Sequence, residues 1–363
     1  MTDFSRYHRQ MLLPQVGEEG QRALQDASVL LAGCGALGTV AADLLVRAGV
    51  GTVVIVDRDV VEETNLQRQT LYTERDAARG MPKAEAAKTR LSQVNTDVRI
   101  RAFVEDLASD TIVELAAECD LLIDGLDTFQ TRYLLNDYAV AEGVPYIYGA
   151  AIATTGMSMP ILPVGGGGRR LHWQEEEATP CLRCMFPEPP PVGATETCDT
   201  AGVMGSVTSI VAAFQVTQAI KMIIGDMAHV DRSLVSIDMW TNAFRRLDVS
   251  EARNTSCACC GERRFTFLDA GAGDGLTVLC GRNAVQVRPA TRQQIDLEAM
   301  RLRLEPHGSF LQEDGALRGV FSAERSPEAD QVALTLFPDG RAIVGGATDP
   351  TWARGVYDRF IGQ

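Results

Sequence analysis

One short stretch constrains this chain more than any other. Gly33-Cys34-Gly35-Ala36-Leu37-Gly38 follows an apolar run that begins at Ala27 and opens a helix-compatible stretch from Gly38 to Ala48; a second apolar run, Thr52 to Val56, ends in Asp57. Glycines at these spacings let the backbone turn tightly and let phosphate or ribose approach helix N-terminal amides, while an acid about 20 residues on accepts from a ribose hydroxyl. A strand-helix-strand unit with a nucleotide-binding turn is the expectation. The pattern alone does not choose between a nicotinamide or flavin oxidoreductase and an enzyme that uses ATP.

The same alternation continues downstream. A helix-compatible region from Lys83 to Gln93 precedes a strand at Val98 to Phe103 and the apolar run Leu121-Leu122-Ile123, which ends in Asp124-Gly125-Leu126-Asp127. A helix from Tyr133 to Ala141 and a strand from Tyr146 to Ala150 follow. Strands alternating with helices imply an α/β fold with a Rossmann-like, mostly parallel sheet and flanking helices. Residues 163–200 break the rhythm with Gly165 to Gly168 and Pro189-Pro190-Pro191, and read as a crossover loop. The most apolar long stretch, Ala201 to Ile224, is interrupted by Gln215, Gln218 and Lys221 at the spacing of one polar helical face. It reads as a buried or dimer-contacting helix, with no membrane span.

Charge and cysteine usage narrow the function classes. The 363 residues carry 48 acidic against 34 basic side chains, a formal charge of -14, which argues against nucleic acid as a partner. The first residues have neither a basic segment nor an apolar one of the secretory kind, so a cytoplasmic protein with reduced thiols is expected. Nine cysteines in such a chain point to metal or catalysis. Cys181-Leu182-Arg183-Cys184 and Cys257-Ala258-Cys259-Cys260 are two C-x-x-C knuckles, each able to supply two thiolates to a closed, structural zinc site. Cys257 with Cys260 keeps the spacing and leaves Cys259 as a bystander. Cys198 lies between the crossover loop and the apolar helix, where a helix N-terminus would lower its pKa and make it a candidate nucleophile.

Just after Asp57, Asn65-Leu66-Gln67-Arg68-Gln69 and Gly80-Met81-Pro82-Lys83 add two cations and polar amides beside the nucleotide turn. Hydride transfer has no need of them. Attack of a carboxylate on the α-phosphate of ATP does, because charge builds on the phosphate and the departing pyrophosphate. Asp127, past the end of an inner strand, suits Mg²⁺ held by one carboxylate plus phosphate and water, or alternatively caps the following helix. Together with Arg6-Tyr7-His8-Arg9-Gln10, these motifs make residues 4–262 resemble the MoeB/ThiF family of adenylyltransferases, relatives of ubiquitin-activating enzymes.

The resemblance implies ATP-dependent adenylation of the C-terminal glycine carboxylate of a ubiquitin-like sulfur-carrier protein. It places the nucleotide on Gly33, Gly35, Gly38 and Asn65, with Asp57 on the ribose, Arg68 and Lys83 on the phosphates and Asp127 on Mg²⁺. It also implies a homodimer in which Arg9 reaches the neighbouring active site, a separate sulfur donor such as a cysteine desulfurase or rhodanese, and in some members a covalent role for the cysteine at Cys198. Thr128 departs from the Asn that commonly follows the Mg²⁺ aspartate in that family. Two other readings stand beside it: a nucleotide-binding oxidoreductase, and a catalytically silent activating-enzyme-like binding module.

The adenylyltransferase domain is expected over residues 1–268, a linker over 269–275 and a small α+β domain over 276–363. The last is read as a strand from Thr277 to Val287, a helix from Leu297 to Leu304, three strands and a helix from Pro350 to Phe360. It lacks the arginine-rich cysteine loop of the rhodanese domain that some relatives carry.

Overall fold

The apolar runs of the first half assemble side by side as strands, and the helix-compatible segments pack across them. The computed structural model describes residues 3–167, 170–189, 201–269, 275–279, 283–289, 294–313 and 315–362. Its contacts divide the chain into two units, Met1–Gly271 and Ala272–Gln363. Cys198, most of the expected linker and the end of the crossover loop lie outside the described residues.

The first unit holds β1 (Ser28–Ala32), β2 (Thr52–Val56), β3 (Arg99–Phe103), β4 (Leu121–Asp124), β5 (Tyr146–Ile152), β6 (Thr155–Ile161), β7 (Leu234–Asp238) and β8 (Ala243–Leu247). They form one sheet in the order β3-β2-β1-β4-β5-β6-β7-β8. The first five in that order run parallel and the last three are antiparallel. Its main helices are α1 (Gly17–Asp26), α2 (Ala36–Ala48), α3 (Lys83–Val94), α4 (Ser109–Ala116), α5 (Phe129–Glu142) and α6 (Gly205–Ile223). Both faces of β1 and β2 are buried, so these strands read as continuous apolar runs and not as alternating ones. One face packs α2, α3 and α6. The other packs α4 and α5.

Helix α6 is long and apolar enough to cross a bilayer by composition, but 56% of its most apolar window is buried in this unit. Its two glutamines point inward. Gln215 is fully buried and donates to the carbonyls of Asp124 and Ile147, at 2.9 and 3.1 Å, while Gln218 accepts from the Asp231 amide. Gln215 thus marks the face that meets β4 and β5, and Gln218 the segment leading into β7. The outward face carries Ser206, Ile210, Ala213 and Thr217.

The second unit is an antiparallel sheet of β9 (Leu276–Leu279), β10 (Ala284–Val287), β11 (Gly308–Glu313), β12 (Ala316–Phe321), β13 (Val332–Leu336) and β14 (Ala342–Gly345), ordered β11-β12-β13-β14-β10-β9. Helices α7 (Leu297–Leu304) and α8 (Pro350–Phe360) share its core with Phe310, Phe321 and Leu336. The single strand expected over Thr277 to Val287 is a hairpin, β9 pairing with β10, and Asn283 at its turn takes a left-handed φ of +45°. Four strands, not three, separate α7 from α8, because the left-handed Gly315 folds Gly308–Phe321 back on itself.

Candidate active site

The chain order of the parallel strands reverses between β1 and β4, so the loops after these two strands part and leave a crevice at their carboxyl ends. The glycine turn closes one side of it. Gly33 adopts φ +85°, where a Cβ would come within 2.7 Å of the Gly125 carbonyl oxygen, and a Cβ on Gly38 would lie 2.1 Å from the Gly33 carbonyl oxygen. Only glycines let the turn, the start of α2 and the Asp124-Gly125 turn stack this closely. At Gly35 the nearest atoms are looser, Gln69 Nε2 at 3.8 Å. Gly35 is also the N-cap of α2 and supplies no capping side chain, which leaves the helix N-terminal amides facing the crevice.

Asp57 closes the second strand as the sequence suggests. Its carboxylate is buried and accepts from the amides of Cys34, at 2.6 Å, and Asp59, at 2.8 Å, which ties it to the glycine turn. Burial pushes its pKa up, Lys83 opposes the shift and Asp59 adds to it. Cys34 is buried in the turn, and burial together with Asp57 pushes its thiol up to about 12, a core group and not a nucleophile. Tyr72 donates to the Cys34 carbonyl at 2.7 Å and buttresses the turn from below.

The two cations arrive on different elements. A backbone bridge between Val60 and Pro82 starts α3 at Lys83, whose buried ammonium lies 3.1 Å from Asp59. Arg68 is half-buried and donates to the Thr64 carbonyl, and its backbone lies against Gly205 at the start of α6. Asn65 is buried and accepts from the Glu62 amide. Gln69 carries a buried carbonyl oxygen with no partner, the kind of orphaned acceptor a ligand satisfies.

Asp127 stands exposed on the turn after β4, with no side-chain partner among the described residues. The N-cap of α5 is Thr128 and not Asp127, so the capping alternative is not realised. Arg9 is exposed on the short helix His8–Met11. Its neighbour Gln10 donates to the Ala48 carbonyl at the far end of α2, a 13-residue helix that spans about 20 Å. Within one chain, Arg9 is therefore not brought to the crevice.

Several groups to which the sequence motifs assign no role also shape the crevice. Arg58 pairs with Asp106 at 2.7 Å; burial opposes its charge, while Asp106, Asp59 and Asp127 raise its pKa. Beneath Asp127 lies a buried cluster of Asp124, Arg132 and Tyr146. Asp124, an acid closing the apolar run Leu121-Leu122-Ile123, is the signal that could have found the cluster.

The four knuckle cysteines converge. Sγ–Sγ distances are 3.9 Å for Cys181 and Cys184, 3.7 Å for Cys181 and Cys257, and 3.3 Å for Cys184 and Cys260. All four sulfurs lie within 4.8 Å of one another and can hold a metal ion. A tetrahedral ion with about 2.3 Å metal–sulfur bonds separates its sulfurs by about 3.8 Å, so the group fits. Asn136 on α5 joins the two knuckles, accepting from the Leu182 amide at 2.7 Å and donating to Cys259 Sγ at 3.3 Å. Cys259 thus has a partner of its own outside the cluster.

Comparison with known proteins places this geometry in context. The model of the ThiF family matches residues 7–259. The sulfur carrier protein ThiS adenylyltransferase of Bacillus subtilis is 39% identical over 357 residues, covering 98% of this chain and 99% of that protein. A sulfur carrier protein adenylyltransferase of Thermus thermophilus is 41% identical over 260 residues, covering 72% of this chain and 92% of that protein. Among solved structures, MccB of E. coli with N-formylated MccA superposes with a TM-score of 0.59 at 23% identity, over 71% of this chain and 75% of that one. That last likeness speaks to the fold.

Proposed function

Because the chain belongs to the ThiF family, we propose that it is an ATP-dependent adenylyltransferase acting on the C-terminal carboxylate of a ubiquitin-like sulfur-carrier protein. The observation that carries the proposal is the glycine turn stacked on the Asp124-Gly125 turn at the switch point of the sheet, with Lys83 paired to Asp59 and Asp127 uncommitted on the turn after β4. A hydride-transfer enzyme has no use for that set of charges. The match to the Bacillus protein runs through the second unit as well, which favours a ThiS-type carrier and a thiazole pathway.

In this reading ATP lies over the glycine turn, its ribose hydroxyls on Asp57 and its phosphates against Asn65 and the amides opening α2. The extended carrier tail enters the same crevice. A carboxylate oxygen of its terminal glycine attacks the α-phosphorus, the bond from that phosphorus to the bridging oxygen breaks, and pyrophosphate leaves as the acyl adenylate forms. Lys83 and Arg68 neutralise the charge that grows on the phosphates. Lys83 is held poised by Asp59, so it need not be recruited from solvent. Asp127 would hold Mg²⁺, which would supply further neutralisation of the phosphate oxygens.

Arg9, distant within its own chain, reaches the crevice of the partner in a homodimer, and the outward face of α6 is available for that contact. Cys181, Cys184, Cys257 and Cys260 would hold zinc, which would tie the two knuckles together at the base of the crossover loop. Cys198 takes the covalent step if the enzyme uses one, with sulfur supplied by a separate cysteine desulfurase or rhodanese. Residues 276–363 form a separate domain beyond the 269–275 linker, and the protein works in the cytoplasm.

The test is exchange of labelled pyrophosphate into ATP in the presence of candidate Gly-Gly-tailed carriers. Exchange that needs carrier, Mg²⁺ and Asp127 supports the proposal. ATP binding without exchange for any carrier would overturn it in favour of a silent binding module.

A further inference from the structure

The steps above make no use of the polar layer buried under the Asp127 turn. Asp124 ends β4 with no exposure, and both its carboxylate oxygens are committed. Oδ1 accepts from the Leu126 amide at 2.9 Å; Oδ2 accepts from Tyr146 Oη at 2.6 Å and from Arg132 Nε at 3.1 Å. Arg132, on the first turns of α5, then reaches further with Nη2, to the carbonyls of Leu126 at 2.5 Å and Gly149 at 3.2 Å.

Neutralising Asp124 would need one ammonium. A guanidinium spread over a carboxylate and two carbonyls does something else: it ties the β4–α5 turn to β5 at fixed points. The Leu126 carbonyl and the Asp127 amide belong to a single planar peptide, so holding the carbonyl sets the plane from which Asp127 departs. The Leu126 amide, on the preceding peptide, is held by Asp124. Asp127 itself makes no side-chain bond among the described residues, so its direction comes from the backbone that Arg132 and Asp124 clamp.

We infer that Arg132 is a positioning residue for adenylation, which fixes the Leu126–Asp127 peptide so that the Asp127 carboxylate meets Mg²⁺-bound ATP without a prior search. The inference rests on the assignment of Mg²⁺ to Asp127 in the proposed function. It concerns orientation of a ligand by a neighbour, an effect that commonly changes metal affinity by about 10- to 100-fold when the supporting group is altered.

The measurement is Mn²⁺ binding, in place of Mg²⁺, to the full-length protein saturated with ATP and without carrier, followed by electron paramagnetic resonance. ATP binding in EDTA serves as the second readout. Arg132→Lys keeps the charge beside Asp124 but cannot span the two carbonyls; it is expected to weaken Mn²⁺ binding about 10-fold while leaving metal-free ATP binding unchanged. Tyr146→Phe, which removes one bond to Asp124, is expected to move Mn²⁺ affinity in the same direction by less, and stands in if Arg132→Lys does not fold. Asp127→Asn separates the inference from its premise. If Asp127→Asn weakens Mn²⁺ binding and neither other variant does, the positioning role is overturned alone; if Asp127→Asn leaves Mn²⁺ binding intact, the magnesium assignment falls and the inference with it.

Discussion

Asp124 and Asp127 are three residues apart on one turn and live in opposite surroundings. Asp124 has no contact with water and every oxygen engaged, burial pushing its carboxyl up while Arg132 and Tyr146 oppose the shift. Asp127 faces solvent with its carboxylate uncommitted. The contrast separates two jobs that sequence presents as one motif. The floor of the crevice spends its polar groups on fixing the backbone, and the mouth keeps its carboxylate hydrated and available to a cation that arrives with substrate.

Paired substitutions break this comparison most sharply. Asp124→Ala leaves Arg132 buried without its carboxylate, and the loss of one partner of a buried pair costs about 3–5 kcal/mol of stability. Asp127→Ala removes an exposed carboxylate that makes no hydrogen bond among the described residues, and stability stays within about 0.5 kcal/mol of the parent, although pyrophosphate exchange is lost. Thermal or urea unfolding of the two variants checks both. Equal destabilisation would show that the layers are not distinct. A smaller effect sharpens the boundary of the floor: Gln215→Leu on α6 leaves the Asp124 and Ile147 carbonyls without their donor, at a cost of about 1–3 kcal/mol. Urea unfolding reads it directly, and no loss of stability would mean that α6 is not part of the clamp.

The mouth was far more legible in the sequence than the floor, for a physical reason. Gly33 to Gly38, Asp57, Arg68 and Lys83 sit at local spacings imposed by a turn, a strand end and a helix start, so a linear pattern carries their geometry. The cysteine knuckles were legible because C-x-x-C presents two sulfurs at once. Asp124, Arg132, Tyr146 and Gln215 come from four elements that only the sheet order brings together, and the polar spacing of Gln215 on α6 does not say which partners it meets. In the second unit, Asn283 and Gly315 hide two reversals inside segments whose apolar content reads as continuous strand.

Lys83 lies between the layers, buried like the floor yet aimed at the chemistry of the mouth, and its pH behaviour tells which it belongs to. Burial raises the Asp57 carboxyl above its ordinary value and Lys83 opposes that rise. A raised carboxyl binds more protons folded than unfolded between the ordinary and the raised pKa, so stability falls as pH rises through that window, and the cost persists above it. Replacing Lys83 by Met removes the opposing charge and raises Asp57 further, so the cost at neutral pH grows by about 1.4 kcal/mol for each additional unit. The gap in melting temperature between parent and Lys83→Met is therefore widest at pH 7–8 and closes as pH falls toward the ordinary carboxylate range, near ~4. Parallel curves across that range would mean that Lys83 does not hold the Asp57 charge, and that its burial serves the phosphates alone.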